Sequence, residues 1–397
     1  MVDPIYIRDC GIVTPIGSGK ANVARALFCG SPEGISSQYD LITGGSVPVG
    51  AVKDRLPSLS PALLDLDCRN NRLMQVALSE IAPSISEAVS LYGSNRVAVI
   101  MGTSTSGIAD GEEAYTLYKK EGRWPEAFHY KQQELSGLSA FVSRYFGITG
   151  PSYTIATACS SSAKVFASAR RLIRAGFVDA AIVGGADTLC HMTMNGFNAL
   201  EILSPQRCNP FSANRNGITI GEGAAAFLVG RAPSPVELLG VGETSDAYHL
   251  TAPDPTGKGA QASMMRALCD AQLEPKDIAY INLHGTASTF NDAMEALAVE
   301  AVFGETAVPC GSTKGMTGHM LGATGGCEAA FLWLTMHPNY KSGHLPLHLW
   351  DGVTDSSLPK LHFVDLETGL PKKARLAMLS NSFGFGGNNV SLIFGRN

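Results

Sequence analysis

One short unit restricts the fold more than any other part of the chain. Tyr153-Thr154-Ile155-Ala156 reads as a strand, and Thr157-Ala158-Cys159-Ser160-Ser161-Ser162-Ala163 follows it directly. From Lys164 to Ala175 apolar residues recur at Val165, Phe166, Ala169, Leu172 and Ile173, which is a helical spacing. Gly176 fits a helix stop, and Ala180-Ala181-Ile182-Val183 reads as a second buried strand. Cys159 therefore stands at a strand-to-helix turn, where unpaired backbone N–H groups and the helix dipole favour a thiolate. Its small neighbours leave room for a substrate at the sulfur. An inert buried cysteine is the commoner arrangement, and this stretch alone does not choose between the two.

Strand and helix patterns alternate through both halves, which points to α/β layering with helices on sheet faces. In the first half, strands are expected at Ile5–Ile7, Arg96–Met101 and Ala224–Val229, and helices at Ala21–Cys29 and Asn71–Tyr92. Residues 34–68 read as irregular. Residues 108–136 are charged, aromatic and amphipathic, and fit either helices capping a cleft or interface, or a solvated insertion. The Arg231-Ala232-Pro233-Ser234-Pro235 turn closes this half. The second half carries strands at Val236–Val241, Ile278–Leu283, Ala374–Ser380 and Val390–Phe394, with helices at Ala260–Leu273, Asp292–Phe303 and Gly322–Met336.

Composition narrows the class. With 397 residues, 45% hydrophobic and 16% charged, the chain is long enough for a large core or two fused halves. A net charge of −5 argues against nucleic acid as the main partner. Nine cysteines without a CxxC pair suit a reducing cytosol better than a disulfide framework, so a cytoplasmic location is expected. The N-terminus lacks the pattern of a signal peptide, and no apolar run reaches the ~20 residues needed to span a bilayer.

Two histidines and a glycine-rich bend complete the chemistry. His284 ends a strand in Leu283-His284-Gly285-Thr286-Ala287-Ser288, at the edge where open α/β sheets place ligands. His319 lies in the glycine- and hydroxyl-rich run from Ser312 to Glu328, which lacks the spacing of a phosphate-binding loop. A single loop histidine is more often structural; two in glycine-threonine turns beside a cysteine elbow are harder to dismiss. In Asn381-Ser382-Phe383-Gly384-Phe385-Gly386-Gly387-Asn388-Asn389, the glycines let backbone N–H groups approach a ligand. Phe383 and Phe385 there fit either pocket walls or packed aromatics at a bend.

Taken in order, TACSSS, VGGAD, IGEGAA, LHGTAS, STKGMTGHMLGATG and NSFGFGGNN resemble the β-ketoacyl-acyl carrier protein synthases of the Cys-His-His type, in the thiolase-like superfamily. The match runs from Ile5 to Phe394. The resemblance implies a five-layered α-β-α-β-α fold from two similar halves, residues 1–235 and 236–397, with the insertion at about 108–136. It implies decarboxylative condensation of a cysteine-bound acyl chain with malonyl on acyl carrier protein. No metal and no organic cofactor are expected, since substrates ride on the carrier's phosphopantetheine arm. Cys159 is the implied nucleophile, His284 and His319 the donors to the malonyl thioester oxygen, and Lys314 and Glu328 their supporting pair. The N–H groups of Cys159 and Phe385 are the implied oxyanion hole. Thr286 and Ser288 fall where hydroxyls hold the phosphopantetheine arm, and Phe385 on a gating phenylalanine.

The chain also departs from the family pattern. Asn216-Gly217-Ile218 replaces Asp-Gly-Phe, which puts Ile218 at the substrate pocket. Thr289 and Phe290 follow the first histidine segment where a proline is usual, Asn388 replaces a threonine, and the loop Leu203–Pro210 is short. These changes bear on the acyl substrate. They leave open a homodimer in fatty-acid synthesis, or an active subunit paired with a chain-length-factor-like partner in a polyketide or polyene pathway. A thiolase is disfavoured because NSFGFGGNN lacks a second cysteine, and an inactive chain-length factor because Cys159, His284 and His319 all remain. An acidic carrier protein needs a basic patch, for which Arg69, Arg72, Lys119, Lys120, Arg123 and Arg207 are candidates.

Overall fold

The computed structural model describes residues 4–304, 306–340, 343–371, 373 and 375–396. The first half contributes strands β1 (Tyr6–Thr14), β2 (Val97–Gly102), β3 (Ser152–Ile155), β4 (Ala180–Asp187) and β5 (Gly223–Gly230). The second contributes β6 (Val236–Ser245), β7 (Ile278–Asn282), β8 (Pro309–Gly311), β9 (His362–Phe363), β10 (Leu376–Gly384) and β11 (Asn388–Arg396). Ala374, expected to open β10, lies outside the described residues.

The halves repeat one topology. The first is ordered β3-β2-β4-β5-β1, with β2 parallel to β3 and β4, and β5 antiparallel to both β4 and β1. The second runs β8-β7-β10-β11-β6 in the same directions, with the short β9 added outside β8. The edges meet where β1 pairs with β6, Tyr6 opposite Glu237 and Ile7 opposite Val236.

Side-chain alternation then sets the layers. Val97, Val99 and Met101 of β2 face an outer cluster with Leu73, Met74 and Phe141. Ala98 and Ile100 face a central cluster instead, as period-two strands require. Leu379 of β10 joins an outer cluster with Met264 and Val299, while Met378 joins the central one. Both sheets are therefore covered on both faces, giving the five layers. The middle layer holds the helices Ser161–Arg174 and Thr324–Met336. Every residue of the second, a helix apolar nearly all round but for Glu328 and two threonines, is buried. Phe166 stitches the layers, with ring centroids 5.0 Å from Phe227 of β5 and 5.6 Å from Phe394 of β11. Each such pair adds roughly 0.5–1.5 kcal/mol beyond area burial.

Several local expectations change. The single helix expected over 71–92 is two, Arg69–Ser79 and Ala82–Tyr92, because Pro83 lies in the first turn of the second and removes a helix-interior N–H. The stretch expected to be irregular holds a small sheet, in which Ile35–Ile42 and Gly45–Gly50 form a hairpin that also pairs with Ile220–Gly221. In the insertion, helix Ile108–Glu121 is fastened by Glu112, whose carboxylate accepts from the N–H groups of His191 and Met192. Beyond it Tyr118, Trp124 and Phe128 stack at centroid distances of 4.7 and 5.0 Å.

Candidate active site

Loops at the C-terminal ends of parallel strands carry the predicted residues to one place. Cys159 lies between β3 and the helix Ser161–Arg174, on a turn where Ala158 has φ 52°. Gly384, at the end of β10, passes so close that a Cβ would stand 2.9 Å from Thr157 O and 3.2 Å from Cys159 N. Any side chain at 384 would displace the cysteine turn. His284 follows β7, and His319 lies between the short helix Lys314–Thr317 and the turn Leu321–Ala323.

Within the site, Cys159 Sγ is 2.9 Å from His319 Nε2. The His284 and His319 rings meet edge to face with centroids 5.3 Å apart. One ligating atom from each of Cys159, His284 and His319 lies within 4.8 Å of the others. Thr324 Oγ1 is 3.2 Å from His319 Nδ1. A hydroxyl both donates and accepts, so Thr324 accommodates either tautomer of the ring. A cleft opens over these groups, and Ile218, Thr286, Ser288, Phe383 and Phe385 also line it. Ser288 additionally caps the helix Thr289–Phe303, its hydroxyl accepting from Asn291 N. Phe290 stands at the cleft and is 72% exposed. Lys314 and Glu328 lie behind the cleft, joined at 2.6 Å with each side chain only 1% exposed.

The electrostatics correct one expectation. The helix N-terminus was expected to favour a thiolate. Burial instead pushes the Cys159 thiol up to about 12, against the pull of the Lys314 charge and of the backbone N–H groups of Phe385 and Cys159 itself. Desolvation outweighs the dipole because the sulfur is buried, and the resting form is the thiol. Burial, reinforced by Lys314, holds both His284 and His319 well below the ordinary imidazole value. Near neutral pH the site therefore holds a neutral thiol and two neutral imidazoles. Burial pushes Glu328 up to about 7, with Lys314 pulling against it.

Four supporting residues escaped the sequence reading. Glu295 accepts from His284 N at 2.8 Å and from Gly285 N at 2.7 Å. Asp292 accepts from Ala287 N and Phe211 N. Their acidic i, i+3 spacing on a largely apolar helix was a readable signal. His348 accepts from Ser312 N through Nδ1 and lies 3.2 Å from Pro210 O through Nε2, while Ser312 Oγ donates to Gly285 O. Asp187 ends β4 beneath the His319 turn. Among the expected basic residues, Arg69 and Arg72 are committed internally, to Glu222 and Asp67. Arg207 is exposed.

Two sheets of one topology, meeting over a buried cysteine and two neutral histidines, define a thiolase-like acyltransferase. Comparison with known proteins narrows this. Residues 55–234 match the β-ketoacyl synthase N-terminal domain, and residues 236–347 match its C-terminal domain. The chain is 32% identical over 346 residues to 3-oxoacyl-[acyl-carrier-protein] synthase 2 of Staphylococcus aureus, covering 82% of each. It superposes on the structure of the ketosynthase ApeO in complex with its chain length factor ApeC, from Xenorhabdus doucetiae. That match has a TM-score of 0.93 and 44% identity and covers 100% of this chain and 98% of the other. The ishigamide ketosynthase/chain length factor aligns at 25% identity and a TM-score of 0.87, over 100% of both chains. The chain belongs to the β-ketoacyl synthase family and is a ketosynthase. No helix among the described residues is long and apolar enough to cross a membrane.

Proposed function

We propose that this ketosynthase takes an acyl chain from acyl carrier protein onto Cys159 and condenses it with malonyl-carrier, extending the chain by two carbons. The observation that carries the reading is the 2.9 Å contact between Cys159 Sγ and His319 Nε2, at a cleft that His284 also faces. In the first half-reaction the thiol proton passes to His319 Nε2 as sulfur attacks the acyl thioester carbon. The tetrahedral oxyanion takes hydrogen bonds from the N–H groups of Cys159 and Phe385. Collapse breaks the bond to the carrier thiol, which leaves with the proton returned from His319.

In the second half-reaction the carboxylate of malonyl-carrier departs as carbon dioxide, and its electron pair becomes an enolate. Neutral His284 and His319 donate hydrogen bonds to the enolate oxygen, which His319, whose Nε2 faces Cys159, can do only as its Nε2–H tautomer. The Thr324 hydroxyl permits that tautomer at His319. The nucleophilic carbon then attacks the Cys159 thioester, forming the carbon–carbon bond and freeing the Cys159 sulfur as a thiolate, which takes up a proton from water. In this reading Lys314 and Glu328 order the histidine loop, Thr286 and Ser288 bind the phosphopantetheine arm, and Ile218, Phe383 and Phe385 wall the acyl pocket. The two halves divide at residues 235 and 236. The reaction proceeds in the cytoplasm without a metal or organic cofactor.

A second reading concerns assembly. The full-length 44% identity to a ketosynthase solved with its chain length factor exceeds the 32% to an elongating synthase. This favours an active subunit of a heterodimer in a polyketide or polyene pathway. The test is intact-mass analysis of Cys159 after a panel of acyl-carrier proteins is offered, with and without a chain-length-factor-like subunit. A Cys159 adduct whose chain-length range widens only with the second subunit is expected. Loading at another cysteine refutes the chemistry, and a range indifferent to the second subunit refutes the assembly.

A further inference from the structure

The carboxylate of Asp187 is fully buried and lies outside the cleft. Oδ1 accepts from Thr103 Oγ1 at 2.6 Å, Ser104 N at 2.8 Å, Thr105 N at 2.9 Å and Thr105 Oγ1 at 3.0 Å. Oδ2 accepts from Ser104 Oγ and from Gly322 N, both at 2.5 Å. Among the described residues no lysine or arginine is ion-paired with it. A buried charge held by donors alone is costly, and the donors come from both halves. Thr103 to Thr105 follow β2, whereas Gly322 belongs to the turn three residues after His319.

That turn needs holding. Leu321 has φ 48°, a left-handed conformation that costs a residue with a Cβ roughly 1–2 kcal/mol. Gly322 has no spare room, since a Cβ there would stand 2.8 Å from Asp187 Oδ2 and 2.9 Å from Ser104 N. The same turn leads from His319 to Thr324, whose hydroxyl meets the His319 ring.

We propose that Asp187 is a positioning residue that pins the strained Leu321–Gly322 turn and so fixes His319 against Cys159. The inference rests on the assignment of Cys159 and His319 given above. It has an electrostatic consequence that a purely structural clamp lacks. The charged or titratable groups acting on Cys159 are Lys314, His284, His319 and Asp187. Lys314 favours the thiolate, and the negative charge of Asp187 opposes it. Asp187 thus helps keep the resting nucleophile protonated until His319 takes the proton.

The test uses the full-length protein. Asp187→Asn removes the charge and presents an amide to a site built of donors. Carbon dioxide release from malonyl-carrier is expected to fall by roughly 10²-fold, the scale of an ångström's misplacement, with KM for acyl-carrier unchanged. The pH midpoint for alkylation of Cys159 is expected to move to lower pH. Thr105→Val deletes one donor and keeps the charge; it should slow decarboxylation less and should not lower the midpoint. Wild-type decarboxylation by Asp187→Asn, or a midpoint that stays or rises, overturns the proposal. If Asp187→Asn does not fold, Thr105→Val combined with Ser104→Ala decides, and wild-type decarboxylation there overturns it. Wild-type enzyme alkylated and acylated at a cysteine other than Cys159 would instead defeat the underlying assignment.

Discussion

Glu328→Gln should unfold the protein more easily and slow condensation while leaving Cys159 open to alkylation. Lys314 Nζ and Glu328 Oε1 are 2.6 Å apart behind the cleft, with side chains 1% exposed. Above pH 7, where Glu328 is ionised, removing one member of such a pair leaves a charge uncompensated in a dry interior, which costs about 3–5 kcal/mol. Replacing both with apolar residues of similar size is far cheaper, because neither desolvation cost remains. The double variant Lys314→Met with Glu328→Leu should therefore recover most of the stability lost by Glu328→Gln. It should not recover condensation. Without the Lys314 charge the Cys159 thiol is held higher and both histidines lose a force that keeps them neutral. Urea unfolding measures the stability, condensation of a loaded acyl chain the activity, and iodoacetamide the cysteine. A double variant as unstable as the single would refute the pair reasoning, and wild-type condensation by Glu328→Gln would refute the supporting role.

Charge reversal at Lys119, Lys120, Arg123 or Arg207 should raise KM for carrier-bound substrate at the true docking patch, with an effect that shrinks as salt rises; KM indifferent to salt and to all four reversals would rule the patch out. Reversal at Arg69 should instead destabilise the fold, since its partner Glu222 is buried, and wild-type urea stability would contradict this. His348 is held near 3 by burial, so the native state refuses a proton that the unfolded chain accepts below about pH 6.5. Its contribution to stability is whole above that value and falls by about 1.4 kcal/mol per pH unit toward pH 3. Asp292 and Glu328, pushed up to about 7, act in the opposite sense, their contribution fading as pH rises from the ordinary carboxylate range toward 7. The difference between wild type and His348→Gln isolates the imidazole: the variant should lose stability less steeply from pH 6 to 4.5, and an unchanged slope would contradict the argument. Cys327→Ala should leave condensation close to wild type and cost about 1 kcal/mol of packing, because Cys327 is buried within the helix Thr324–Met336; loss of activity in a folded variant would place it in the chemistry.

The sequence showed the site better than its support. Cys159, His284 and His319 each stand at a strand end or glycine-rich turn, and such positions are visible in a local window. Asp187 and His348 were not visible, because their partners lie 36 to 138 residues away. The helix expected over 71–92 is interrupted at Glu80–Ile81, just ahead of Pro83, the local signal for the break. The small sheet at 35–50 was missed because its buried apolar residues, Val47 and Val49, are too few to show a period. The thiolate expectation failed for a different reason. A helix N-terminus can be read from sequence, but the depth at which it is buried is set by the other half of the molecule.

The central claim is that Cys159 carries the acyl chain while His284 and His319 serve decarboxylation. Labelled carbon dioxide release from malonyl-carrier, measured beside the acyl-enzyme mass, tests it most directly. His284→Ala and His319→Ala should each retain partial acylation of Cys159, slower for His319→Ala, which lacks the proton acceptor 2.9 Å from the sulfur. Their carbon dioxide release should fall further, by roughly 10²–10³-fold for one aimed donor. Cys159→Gln should not acylate, yet should still release carbon dioxide while both histidines stay in place. Equal loss of both half-reactions in the two histidine variants would make the histidines bases for the cysteine and contradict the division of labour.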